Sequence, residues 1–84
     1  MLNALERCGL AGDTLVVFGS DHGDNQGQRG LCNKGTLYRE ALNVPLIVRG
    51  PGVPRGRVCS TLANLVDIAP TVLRALGIEI PEAM

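Results

Sequence analysis

Eighty-four residues carry eight Lys plus Arg against eight Asp plus Glu, a balance that removes the electrostatic basis for a nucleic-acid or anionic-membrane partner. The chain is 45% hydrophobic but holds one Tyr, one Phe and no Trp, so at most one small domain forms, with a core of Leu, Val, Ile and Ala. The longest apolar runs, Leu15 to Phe18 and Val44 to Val48, are too short to span a bilayer, and no charged-then-apolar secretory signal follows Met1, which leaves the compartment open.

In chain order, Leu2, Ala4, Leu5, Cys8 and Leu10 recur at helical spacing, and Gly9 with Gly12 supplies the stop. Leu15, Val16, Val17 and Phe18 form an unbroken apolar run that predicts a strand buried on both faces. Gly19 to Gly35 has five glycines and no apolar period, so it reads as a long loop leaving the end of that strand, where open α/β sheets place their sites. Thr36 to Leu42 predicts a short amphipathic helix with Leu37, Tyr38 and Ala41 turned inward, ended by Asn43 and the extended residue before Pro45.

Leu46 to Val48 predicts a second buried strand, with Pro45 tolerated at its start. A turn-rich stretch follows, and then a short extended segment at Val58 and Cys59. Asp67 is the expected N-cap of a last helix, with Pro70 in its first turn, an apolar stripe of Ile68, Val72, Leu73 and Leu76, and Gly77 as its stop. The alternation of helix and strand predicts one α/β unit whose sheet needs neighbours.

Cys8, Cys32 and Cys59 are widely spaced and odd in number, which points to reduced thiols rather than a disulfide framework or a zinc knuckle. Ser20, Asp21 and His22 are consecutive, so they cannot converge as a catalytic triad.

The chemistry concentrates in "SDHGDN", residues 20–25. Asp21, His22, Asp24 and Asn25 offer oxygen and imidazole donors where the backbone leaves the strand, a pattern that suits a divalent cation. The competing reading makes Asp21 a turn cap, Asp24 with Asn25 an Asx-turn and His22 a surface residue. Two or three donors do not close a metal site, so the metal reading requires further ligands from elsewhere.

Four ordered blocks carry a family resemblance: "SDHGD" after a strand, "KGTLYREA", "VPLIVRGPGV" and "LVDIAPT". Together they resemble the C-terminal part of the catalytic domain of the sulfatase family, within the alkaline-phosphatase-like superfamily. The resemblance implies that residues 1–84 are a partial catalytic domain, a fragment of an α/β sandwich with a mostly parallel sheet flanked by helices. It further implies that Asp21 and His22 bind a divalent metal, calcium in the first instance and manganese or zinc as alternatives. Lys34 inherits the catalytic and substrate-binding role of contacting the sulfate-ester oxygens, where an ammonium balances charge building up in the transition state.

Family members commonly read G-E-H-G-L-W-G-K-G where this chain has "GQRGLCNKG", so Arg29 is carried only as a candidate anion contact. No cysteine stands in the C-x-P-S-R or C-x-A-S-R signature that yields the family's formylglycine nucleophile, and the family's N-terminal Asp pair is absent from these residues. The expected function is therefore part of a sulfuric ester hydrolase, inactive alone, acting on a sulfate-ester small molecule or carbohydrate. It would need the remainder of the domain or else self-associate. Two alternatives are a phosphodiester or phosphonate monoester hydrolase fragment of the same superfamily and a noncatalytic remnant acting as an interaction module.

Overall fold

The computed structural model describes residues 1–84. Helix α1 (Leu2–Arg7) leads to strand β1 (Val16–Gly19), helix α2 (Arg39–Leu42) to strand β2 (Leu46–Arg49), and helix α3 (Ile68–Ala75) closes the order. Single 3₁₀ turns lie at Gln28–Gly30 and Leu65–Asp67.

Strands β1 and β2 pair antiparallel, Val16 opposite Arg49 and Gly19 opposite Leu46. The mostly parallel sheet expected from the resemblance does not occur among these two strands. The excursion between them returns to the end it left, so the backbone runs back along β1 instead of crossing over to run beside it.

Both strands are also less covered than their apolar runs predict. Phe18 is 57% exposed and every residue of β2 is exposed, with α3 across a shallow groove of about 300 Å³ lined by Leu15, Val17, Leu46, Val48, Ile68 and Val72. Only Ala41 and Asn25 are buried in the whole chain. The radius of gyration is 16.1 Å, against about 12 Å for a compact domain of this length. Hydrophobic runs written for a two-sided interior thus stand largely open.

Local chemistry accounts for the element ends. Gly9 and Gly77 adopt φ of 71° and 69°, the left-handed conformation that ends α1 and α3 at little cost only for glycine. The expected cap of the last helix moves by three residues. Asn64 accepts the Val66 amide at 3.4 Å while Asp67 accepts the Asn64 amide at 3.1 Å, a reciprocal box that opens the 3₁₀ turn running into α3. Asp67 is the reaching residue of that box and makes no cap bond to α3 itself.

Helix α2 begins at Arg39, later than the predicted Thr36. Its inward residue is Ala41, as the pattern predicts, whereas Leu37 precedes the helix and is 88% exposed. Residues Val58 and Cys59 form no strand, because no neighbouring backbone pairs with them. The three cysteines are free and exposed. No helix is long and apolar enough to cross a membrane.

Candidate functional site

Strand β1 ends at Gly19, and Ser20 starts a tight turn by donating its hydroxyl to the His22 carbonyl at 2.7 Å. Gly23 then anchors the turn on α2, its amide donating to the Ala41 carbonyl at 2.8 Å. A Cβ at Gly23 would collide with the Glu40 carbonyl oxygen, so this close approach of two backbones requires glycine.

The turn brings Asp21 and His22 together. Asp21 Oδ1 accepts the His22 amide at 3.1 Å, which orients the carboxylate and leaves Oδ2 outward. His22 Nδ1 lies 2.7 Å from the Gly23 carbonyl. A carbonyl oxygen only accepts, so Nδ1 carries a proton and, in the neutral ring, Nε2 presents its lone pair. Nε2 and Asp21 Oδ2 are 3.6 Å apart.

This donor set fits a divalent cation in chemistry and spacing. Two donors each about 2.3–2.6 Å from one calcium ion can stand that far apart, and a ring oriented through its other nitrogen is the usual arrangement of a metal-binding histidine. The Asp21 side chain is 83% exposed and the His22 ring 39%, so both reach open space. The chain assembles no group of three or more His, Cys, Asp or Glu around one centre, so a metal ion held at Asp21 and His22 would require further ligands.

The other carboxylate of the motif is committed to the backbone. Asp24 Oδ1 accepts the Gln26 amide at 2.7 Å, the Asx-turn foreseen for it. Asn25 turns inward instead of outward and is 1% exposed. Its backbone amide and Nδ2 donate to the Asn33 carbonyl at 3.0 and 2.6 Å, and its Oδ1 accepts from the Thr36 hydroxyl at 3.0 Å.

Beyond this clamp Lys34 is exposed and forms no ion pair or side-chain hydrogen bond, leaving its ammonium free for an anion. Arg29 is not free. Its Nη1 pairs with Glu40 Oε2 at 3.0 Å and its guanidinium lies 4.3 Å from the Tyr38 ring centroid, so its charge is already engaged within the chain. Glu40, and Tyr38 at 44% exposure rather than turned inward, are the partners that hold it.

The sulfatase family profile matches residues 1–78. The chain belongs to the sulfatase family. Arylsulfatase K of Xenopus laevis is 38% identical over 82 residues, covering 98% of this chain and 15% of that protein. Choline-sulfatase of Rhizobium meliloti strain 1021 is also 38% identical over 82 residues, covering 98% and 16%. A third family relative, named low-salt glycan biosynthesis sulfotransferase Agl7 of Haloferax volcanii, is 44% identical over 85 residues, covering 95% and 21%.

Among solved structures, BT4656 in complex with its substrate D-glucosamine-2-N,6-O-disulfate superposes with a TM-score of 0.89 at 38% identity, covering 96% of this chain and 17% of that one. The family's α/β fold is therefore shared, and the present chain spans about a sixth of the length of these relatives.

Proposed function

We propose that these residues form part of a sulfuric ester hydrolase, in which Asp21 and His22 hold a divalent ion and Lys34 binds the sulfate-ester oxygens. The observation that carries this reading is the orientation of His22 by the Gly23 carbonyl, with Nε2 directed to the same space as Asp21 Oδ2, 3.6 Å away. Family membership and relatives named for sulfate-ester substrates support it.

A bound divalent ion would supply electrostatic stabilisation of charge developing on the ester oxygens. Within this chain, Asp21 offers anionic charge to the ion, His22 offers a neutral nitrogen, and the turn at Ser20 and Gly23 holds both in place. Lys34 presents an unpaired ammonium to the nonbridging and departing oxygens, a contact that strengthens as charge accumulates there. Residues 1–84 are then a partial catalytic domain, and the formylglycine nucleophile of the family has no counterpart at Cys8, Cys32 or Cys59. Without it the chain alone does not turn over a sulfate ester. The substrate class is a sulfated small molecule or carbohydrate.

Calcium is the proposed ion. A second reading, hydrolysis of phosphodiesters or phosphonate monoesters, draws on the imidazole in the donor set, since nitrogen suits manganese or zinc better than it suits calcium. Calorimetric titration of calcium, manganese and zinc into the chain and its Asp21→Ala form tests both. Binding lost on substitution supports a preorganised half-site, and the order of affinities separates the two readings; equal binding by both forms removes Asp21 from the metal set.

A further inference from the structure

We propose that Asn25 is a positioning residue for Lys34, fixing the stretch that carries the ammonium relative to the turn that carries Asp21 and His22. The functional meaning of this assignment rests on the reading of Lys34 as the ester-binding cation.

Asn25 is the most deeply buried side chain in a chain with almost no interior, at 1% exposure. An amide in that position is costly unless its groups are paired, and an apolar side chain would fill the space without that requirement. Both polar atoms of the Asn25 side chain have a partner, and the partners are not scattered. Nδ2 and the backbone amide both donate to the carbonyl of Asn33, the residue before Lys34. Oδ1 accepts from Thr36, two residues after Lys34. One side chain thus holds the Asn33 backbone before Lys34 and Gly35 and the Thr36 hydroxyl after them.

The pinned stretch needs such support. Asn33 has φ of 65° and Gly35 φ of 103°, so Lys34 sits between two residues in the left-handed region. A non-glycine residue is disfavoured there, Asn less than most, and Gly35 imposes no steric limit of its own. The hydrogen bond from the Gly23 amide to the Ala41 carbonyl fixes the other end of the turn, two residues before Asn25. Asn25 therefore joins the metal-ligand turn and the Lys34 stretch into one rigid unit, a buried polar network that specifies a conformation rather than adding packing.

The test is backbone relaxation by NMR on the full 84-residue chain, its Asn25→Asp variant and its Lys34→Ala variant. Asn25→Asp keeps the size of the side chain and the acceptor for Thr36 but replaces the Nδ2 donor with an oxygen facing the Asn33 carbonyl. At neutral pH the order parameter at Lys34 is expected to fall from about 0.85 to below about 0.6, with the amides of β1 and β2 unchanged. On acidification the variant regains a donor when its buried carboxyl protonates, and order at Lys34 returns, while the unmutated chain shows no such recovery.

An unchanged order parameter at Lys34 in the variant overturns the proposal. So does a value already below about 0.6 in the unmutated chain. Loss of order that spreads to the strands and is not restored by acid also overturns it, since that marks a general structural role. Inorganic sulfate titrated against the Lys34 side-chain signals separates the two layers. A response weakened in Asn25→Asp at neutral pH and absent in Lys34→Ala supports the assignment. No response in the unmutated chain, with its loop ordered, overturns Lys34 as the anion ligand and with it the functional part of the proposal.

Discussion

Arg29 is held from two sides, by an ion pair to Glu40 at 3.0 Å and by the face of Tyr38, and the pairing ties the middle of the long loop to helix α2. Arg29 itself has φ of 56°, a left-handed conformation that an arginine adopts at a cost and that this double contact holds in place.

Hydrogen bonding to its own backbone amide, and then to Arg29, holds the Glu40 carboxyl below its ordinary value. A carboxylate with a depressed folded pKa stabilises the folded form fully above its unfolded pKa, and that contribution is lost as pH falls through the folded value. The Arg29 contact is expected to be constant from neutral pH down to the ordinary carboxylate range and to fail below it. Upfield ring-current shifts of the Arg29 methylene protons, caused by Tyr38, report the contact; Glu40→Gln is expected to reduce them at every pH.

Gly23→Ala places a methyl group against the Glu40 carbonyl and displaces the backbone bond to Ala41. Overpacking against rigid backbone typically costs about 1–3 kcal/mol. The expected result is lower stability in denaturant titration, together with weakening of the proposed metal binding although neither Asp21 nor His22 is altered.

Asn64→Ala removes one arm of the box that opens the last helical segment. The expected cost is about 0.5–2 kcal/mol, read as reduced helical ellipticity by circular dichroism. Asn64→Ser or Asn64→Asp, which preserve an acceptor, should retain most of the signal.

The open apolar surface has its own consequence. Leu46, Ile47, Val48 and Phe18 are between 38% and 59% exposed, next to strand edges with unpaired backbone groups. Such an edge associates with other chains unless it is covered. Sedimentation velocity is expected to show concentration-dependent association of the isolated chain, and Ile47→Lys should shift it toward monomer; a strictly monomeric chain at high micromolar concentration would refute this.

The extent to which the sequence foretold these features follows from the range of the interactions involved. The short apolar runs located both strands, and Gly9, Gly77 and Ala41 were placed by local rules that need only a few neighbouring residues. Burial of those strands was not legible, because what covers an apolar face is a tertiary property, and here a groove separates the strands from α3. The antiparallel pairing was likewise invisible to periodicity, which fixes where strands lie and not their direction.

In the site, the donor character of Asp21 and His22 was plain from residue type. The tautomer fixed by the Gly23 carbonyl was not, nor was the inward turn of Asn25, whose partners lie eight and eleven residues away. The Arg29 clamp escaped notice for the same reason, with Glu40 eleven positions further on. The "GQRG" stretch gave a cation without revealing its counterion.

Strand pairing places Gly19 opposite Leu46, so residues 20–45 leave and re-enter the fold at adjacent points. Asp21, His22, Asn25, Arg29, Lys34 and α2 all lie on that single excursion. Its closure is enforced by the hairpin rather than by its own length, and a long loop costs little more to close than a shorter one. The candidate apparatus is thus a portable cassette, one uninterrupted stretch that could be exchanged between hairpins of the same register without redrawing the sheet beneath it.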